Sequence, residues 1–302
     1  MSTFSRNSWL ALFFSVVVIA CTPGKIATTT QKNTSDASTA ATPARDNNFA
    51  LGNPSKASKT DENNYLIVKP QYTLSYSRER SSANWVSWHL SSAWLGNVER
   101  ADNFRADEAL PKKWYRVQSS DYLNSGFDRG HLCPSGDRDA STQDNDATFL
   151  MTNIVPQAPN HNRGVWADLE SYCRKVAAEG NELYIIAGVH GTAGTGTAGG
   201  KSFTLDNGKM VVPQNLWKVI VILPIGQNDV SRITVQTRVI AVYIPNRQMV
   251  KDTKWGEYRL SVDDLEKITG YDFLSNIPAK VQQVIEADTD NGPTVKVSAI
   301  RQ

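Results

Sequence analysis

Four short runs of β-branched and aromatic residues constrain the fold most. They are Trp85–Leu90, Leu183–Ala187, Trp217–Leu223 and Thr237–Ile244. The first has strand composition, and the other three are largely apolar runs of strand length, the pattern of a buried strand. Between the first two, Asn162 to Glu179 places Val165, Leu169, Cys173 and Val176 at helical spacing. A second helix is expected over Val262–Thr269, where Ser261 and Asp264 form a capping-box-like start. Strand signals outnumber helical ones and do not alternate regularly with them. The expected class is therefore α+β, with a mainly antiparallel sheet flanked by helices rather than a doubly wound one.

The organisation outside this core follows from composition. Arg6 precedes the apolar run Trp9–Ala20, which is too short for the ~20 residues of a membrane-spanning helix and reads as a signal peptide. Val18-Ile19-Ala20-Cys21 has the form of a lipobox, so Cys21 is expected to carry lipid and residues 1–21 to act as an export signal. Residues 22–64 are rich in Thr, Ser, Ala, Asn and Lys, and are read as a flexible tether. The globular domain is expected from Tyr65 to Glu286, followed by a loose tail over 287–302. With Cys21 set aside, Cys133 and Cys173 make an even pair in an oxidising compartment. A disulfide and two buried thiols are both open at this stage, and no C-x-x-C spacing suggests zinc.

The formal net charge of +2 does not announce a nucleic-acid partner, so phosphate recognition has to be argued from local residues. Gly194-Thr195-Gly196-Thr197-Ala198-Gly199 matches G-x-G-x-x-G, but turn and strand residues follow it instead of a helix, which excludes a dinucleotide site. Two other segments carry chemistry. In Gly126-Phe127-Asp128-Arg129-Gly130-His131, a carboxylate, a cation and an imidazole fall within four residues beside a glycine that allows close backbone approach. From Asn153 to Arg174 come Asn160-His161-Asn162-Arg163, Glu170 and Arg174, the last two on one helical face. An exposed Glu170–Arg174 ion pair is the bland reading of that spacing. His89, in a Trp-rich strand, is read as structural, and His161 as at most an indirect neighbour of a metal shell.

Together these segments closely resemble the DNA/RNA non-specific endonucleases, the ββα-metal nucleases with the Asp-Arg-Gly-His motif. The resemblance also takes in Arg100–Asp107, Ala241–Asn246 and Tyr258–Phe273, and so covers roughly Tyr65 to Glu286. It departs at Cys133 and Ser135, where smaller apolar residues are usual. The resemblance implies a ββα-metal fold and magnesium-dependent hydrolysis of DNA and RNA, with Mn²⁺ able to substitute. It implies His131 as general base and Asn162 as the direct metal ligand. Glu170 would hold metal-bound waters, Arg100, Arg129 and Arg174 would contact phosphate, Asn153 would support the site, and Asp128 would orient its loop. A phosphodiesterase for small nucleotides and a non-catalytic envelope lipoprotein are the competing readings.

Overall fold

A computed structural model describes residues 42–294. Cys21 and the rest of the export signal lie outside these residues.

The apolar runs become the centre of a seven-stranded sheet. Its strands are β1 (Tyr65–Val68), β2 (Thr73–Ser77), β3 (Ser82–Leu90), β6 (Asn181–His190), β9 (Asn215–Pro224), β10 (Arg238–Pro245) and β11 (Arg259–Leu260). They lie side by side in that order, and every neighbouring pair is antiparallel. Two smaller ladders accompany it: β4 (Asp128–His131) with β5 (Ile154–Gln157), and β7 (Thr204–Leu205) with β8 (Met210–Val211). The helices are α1 (Thr142–Thr148), α2 (Ala167–Ala178), α3 (Asp229–Arg232), α4 (Val262–Thr269) and α5 (Ala279–Ile285).

Side chains alternate across a strand, so a strand buried on both faces feeds two cores. Leu183, Ile185 and Ala187 of β6, with Ile220 of β9 and Ile240 of β10, pack on Val165, Leu169 and Cys173 of the α2 region. Tyr184 and Ile186, with Val219, Val221 and Val239, pack instead on Leu265 of α4, on Phe273 and on Ile285 of α5. The sheet is thus the middle layer of three, which is why its strands read as unbroken apolar runs. The α4 start is as expected: the Ser261 side chain accepts from the Asp264 N–H at 3.1 Å.

Two expectations change, and the open state of the cysteines is resolved. The helix expected from Asn162 begins as a π-helical turn over His161–Trp166, broken at Gly164 (φ −112°, ψ −109°) before α2 restarts the regular spiral. Cys133 and Cys173 are free thiols, both buried in the first core, where burial pushes each up to about 12; no disulfide joins them. The compact part also extends beyond residues 65–286. Leu51 and Ala57 are buried in the second core, and the Asn48 amide bonds Pro70 O at 2.7 Å and His89 N at 3.0 Å. At the other end, Asp290 receives Arg238 Nε at 2.7 Å and Arg259 Nη1 at 2.9 Å. Both flanks are polar in composition, and they are held by side-chain hydrogen bonds and ion pairs that an apolar count does not register.

Candidate active site

The strands β4 and β5 and the helix α2 form the unit that carries the candidate residues. In β4, Gly130 faces Val155, and a Cβ built on Gly130 would fall 2.2 Å from the Gln157 side chain. That side chain is buried and donates from Nε2 to the His131 carbonyl at 3.2 Å. Glycine is therefore required at this position for the pairing that places His131. The Trp166 indole donates to the same carbonyl at 3.3 Å, which fixes the end of β4 to the turn before α2. Beyond His131 the chain is clamped by Asn153. Its Oδ1 accepts Cys133 N–H at 2.9 Å, and its Nδ2 donates to Cys133 O at 2.8 Å and Thr148 O at 2.9 Å.

These elements bring Arg100, Arg129, His131, Asn162, Glu170 and Arg174 around one polar cavity of about 300 Å³. The His131 ring stands edge-on to Phe149 with centroids 4.9 Å apart, and packs against Phe104 at 5.5 Å. Among the described residues neither of its ring nitrogens is hydrogen-bonded, and its Nε2 is buried without a partner. Burial, followed by the positive charge of Arg100, pushes His131 down to about 3 from its ordinary 6.5. The ring is therefore neutral at physiological pH.

Asp128 does not line the cavity but stands beside Asn162, which does. It accepts Asn162 Nδ2 at 2.9 Å and Arg163 Nε at 2.8 Å and Nη2 at 2.6 Å. Because the Asn162 nitrogen is committed to Asp128, Oδ1 is the amide atom left for a ligand, and no donor among the described residues reaches it. Two of the arginines lie flat on rings: Arg100 on Phe149 at 4.8 Å and Arg129 on Phe104 at 4.5 Å. Arg100 also donates to Ser135 Oγ at 2.6 Å, and Arg129 donates to Ser119 Oγ. Such stacking pre-orients a guanidinium without using all of its donors.

In place of the exposed i,i+4 pair that was the bland reading of Glu170 and Arg174, each makes a different ion pair. Arg174 Nη1 bonds the buried Asp137 at 3.0 Å, and that carboxylate also accepts the Trp88 indole at 3.0 Å. Glu170 instead lies 3.7 Å from the ammonium of Lys218, which is buried in β9 and sits over the Trp166 ring at 4.1 Å. Burial raises the Glu170 carboxyl, and the charges of Lys218 and Arg174 oppose that rise. Lys218 and Asp137 escaped the sequence reading. The available signal was a lone lysine inside the apolar run Trp217–Leu223.

The remaining histidines stand outside this cavity. His89 Nδ1 accepts Trp94 Nε1 and Asp46 N, each at 3.3 Å, so its proton lies on Nε2, facing Glu182 at 3.2 Å. It is a structural residue, as expected. His161 turns inward, with Nδ1 on Pro245 O at 3.1 Å and its ring against Trp166 at 5.3 Å. Burial, with Lys218 acting the same way and the Pro245 bond opposing, lowers it to about 4. A histidine with a depressed folded pKa leaves stability intact above its unfolded value of ~6.5 and removes it as pH falls, because only the unfolded chain takes the proton. His161→Gln is expected to flatten the fall in unfolding free energy between pH 6.5 and 4.5 by about 1.4 kcal/mol per pH unit. Urea denaturation in EDTA across that range measures it.

The glycine-rich loop lies beside the turn into β4, with Thr197 N bonded to Gly126 O at 3.0 Å. The next element after it is the short strand β7.

A three-layer α+β body that presents a histidine-ended strand pair and a following helix around an arginine-rich cavity is the ββα-metal nuclease fold. Residues 51–280 match the family model described as DNA/RNA non-specific endonuclease, and the chain belongs to that family. It is 50% identical over 243 residues to a nuclease of Nostoc sp., covering 80% of this chain and 85% of that protein. It is 29% identical over 219 residues to nuclease C1 of Cunninghamella echinulata var. echinulata, covering 70% and 83%. Similarity to the mitochondrial nuclease EXOG of Xenopus laevis is 30% over 211 residues, 68% of this chain and 57% of the Xenopus protein. A chain of the solved EndoG/EndoGI complex superimposes with a TM-score of 0.63 at 23% identity, over 77% of this chain and 92% of that one, a likeness of fold.

Proposed function

We propose that the protein is a divalent-metal-dependent endonuclease that hydrolyses DNA and RNA phosphodiesters without sequence preference. The observation that carries this reading is a neutral, unbonded His131 imidazole at a cavity lined by three arginines, Asn162 and Glu170.

A hard oxygen-seeking cation fits this donor set. The unpartnered Asn162 Oδ1 and the Glu170 carboxylate both line the cavity, no thiol does, and Mg²⁺ needs few protein ligands because it keeps its waters. Asn162 would hold the ion directly and Glu170 through water. Once bound, it would offset charge on the phosphate and on the leaving oxygen.

The rest of the chemistry belongs to the chain. His131 accepts a proton from the attacking water, for which a neutral ring is the required form. Arg100, Arg129 and Arg174 hold the diester and offset the charge that grows on its oxygens. Asp128 keeps the Asn162 oxygen turned to the site, and Asn153 fixes the strand end that carries His131. Contacts of this kind read the backbone and not the bases, so affinity falls steeply with salt.

Plasmid DNA and a structured RNA incubated with Mg²⁺ or EDTA test the proposal. Both are expected to be degraded with Mg²⁺ or Mn²⁺, with at least ~10²-fold slower cleavage in EDTA. Cleavage of bis(p-nitrophenyl) phosphate while both polymers stay intact would instead favour a small-diester phosphodiesterase.

Export and lipid attachment at Cys21 complete the proposal, on the strength of the lipobox form of Val18–Cys21. Palmitate fed to expressing bacteria is expected to label the wild type and not Cys21→Ser. An unlabelled wild type would contradict the anchor.

A further inference from the structure

On the far side of the sheet from α2, three carboxylates meet with no cation among the described residues to balance them. Asp263 and Glu266, three residues apart, share a face of α4. Glu286 closes α5, and its carbonyl accepts the Asp263 N–H at 3.0 Å. One side-chain oxygen from each residue lies within 4.8 Å of the other two. Oxygens bound to a common Ca²⁺ at ~2.4 Å stand up to about 5 Å apart, so the spacing is that of one coordination shell.

Proximity of acidic groups alone would not make a site. Glu286, however, is only 6% exposed, and no hydrogen bond from the described residues reaches its carboxylate; Oε1 is fully buried and unpartnered among them. A carboxylate withdrawn from water normally gains a donor or a counter-ion. Here the groups facing it are Glu266, Asp263 and Asp272, all acidic. Burial first, and then these three, push Glu286 up to about 8. Lys267, the one lysine of α4, is turned to Asp264 at 2.9 Å. Glu266 gives one oxygen to the Phe273 N–H at 2.7 Å and keeps the other.

The buried acidic group near His89 makes a contrast. Glu182 and Asp229 already share Arg232, and His89 and Tyr184 supply further donors, so that network is complete without an ion.

We propose that Asp263, Glu266 and Glu286 form a calcium site that ties α4 to the end of α5. It is separate from the catalytic cavity, which lies among β4, the turn before α2 and α2 itself. Its occupation fixes the helical layer that covers the second core.

Thermal unfolding at pH 7.5 tests it, read first in EDTA and then in CaCl₂. With calcium roughly tenfold above Kd, Tm is expected to rise by about 3–6 °C in the wild type. Asn162→Ala, which lacks the proposed catalytic metal ligand, is expected to show the same rise. Glu286→Gln keeps the shape of a protonated Glu286 and is expected to fold yet show no rise; Asp263→Asn provides the same test from the more exposed side. An equal rise in Glu286→Gln and Asp263→Asn would overturn the proposal. So would the absence of any rise in the wild type up to about 10 mM calcium, well above the weakest extracellular sites. A rise lost in Asn162→Ala would assign the effect to the catalytic cavity, and a larger rise with MgCl₂ would overturn the choice of calcium.

Discussion

His131→Ala is expected to lower the cleavage rate of DNA and RNA by about 10²–10⁴-fold, with little change in the far-ultraviolet spectrum. The magnitude follows from removing the group that takes the proton of the attacking water while leaving the arginines and Asn162 in place, which corresponds to about 3–5 kcal/mol of barrier. Structure is expected to survive because the clamps on this strand end are made by backbone atoms. The His131 carbonyl is held by Gln157 and Trp166, and the following residue pair by Asn153. Single-turnover cleavage of an end-labelled duplex measures the loss. A change below threefold would remove His131 from the chemistry.

The largest expected loss of stability is at Arg138. Its guanidinium is fully buried, donates to the carbonyls of Gln71, His89 and Asp137 and to Asn48 Oδ1, and stacks on Trp94 at 3.9 Å. These partners come from the N-terminal segment, the turn between β1 and β2, the end of β3 and the turn after His131. Arg138→Met keeps most of the apolar volume but leaves three buried carbonyls without this donor and the local carboxylates without their cation. Breaking such a centre costs about 3–5 kcal/mol. Urea unfolding is expected to show that loss, accompanied by weaker activity because Asp137, the next residue back, holds Arg174. A loss under about 1 kcal/mol would mean that water or rearranged donors replace the guanidinium.

What the sequence made legible follows from how local each signal is. The strands β6, β9 and β10 are visible because burial on both faces writes them as continuous apolar runs, and the α4 start is visible because its cap lies within four residues. The candidate site residues fall in three short segments, at Arg100, at Asp128–His131 and from Asn153 to Arg174, so they could be named before their geometry was known. The pairing of β4 with β5 was not legible: Asp-Arg-Gly-His and Ile-Val-Pro-Gln share no alternation, and their contact depends on Gly130 admitting the Gln157 side chain. The ion-pair partners of Glu170 and Arg174 were not legible because helical spacing names neighbours on one element only. Their partners arrive from β9 and from the turn holding Asp137. Residues 44–64 and Asp290 were missed because polar side chains tie those segments down.

The account rests on water activated by His131 attacking the phosphorus of both DNA and RNA. Cleavage in H₂¹⁸O, with mass analysis of the product ends, tests this most directly. The account predicts one ¹⁸O in each newly formed phosphate from either polymer, and no 2′,3′-cyclic phosphate at any stage of RNA cleavage. A cyclic product would show attack by the neighbouring 2′-hydroxyl, and new phosphates free of ¹⁸O would show that water does not attack phosphorus; either would contradict the role given to His131.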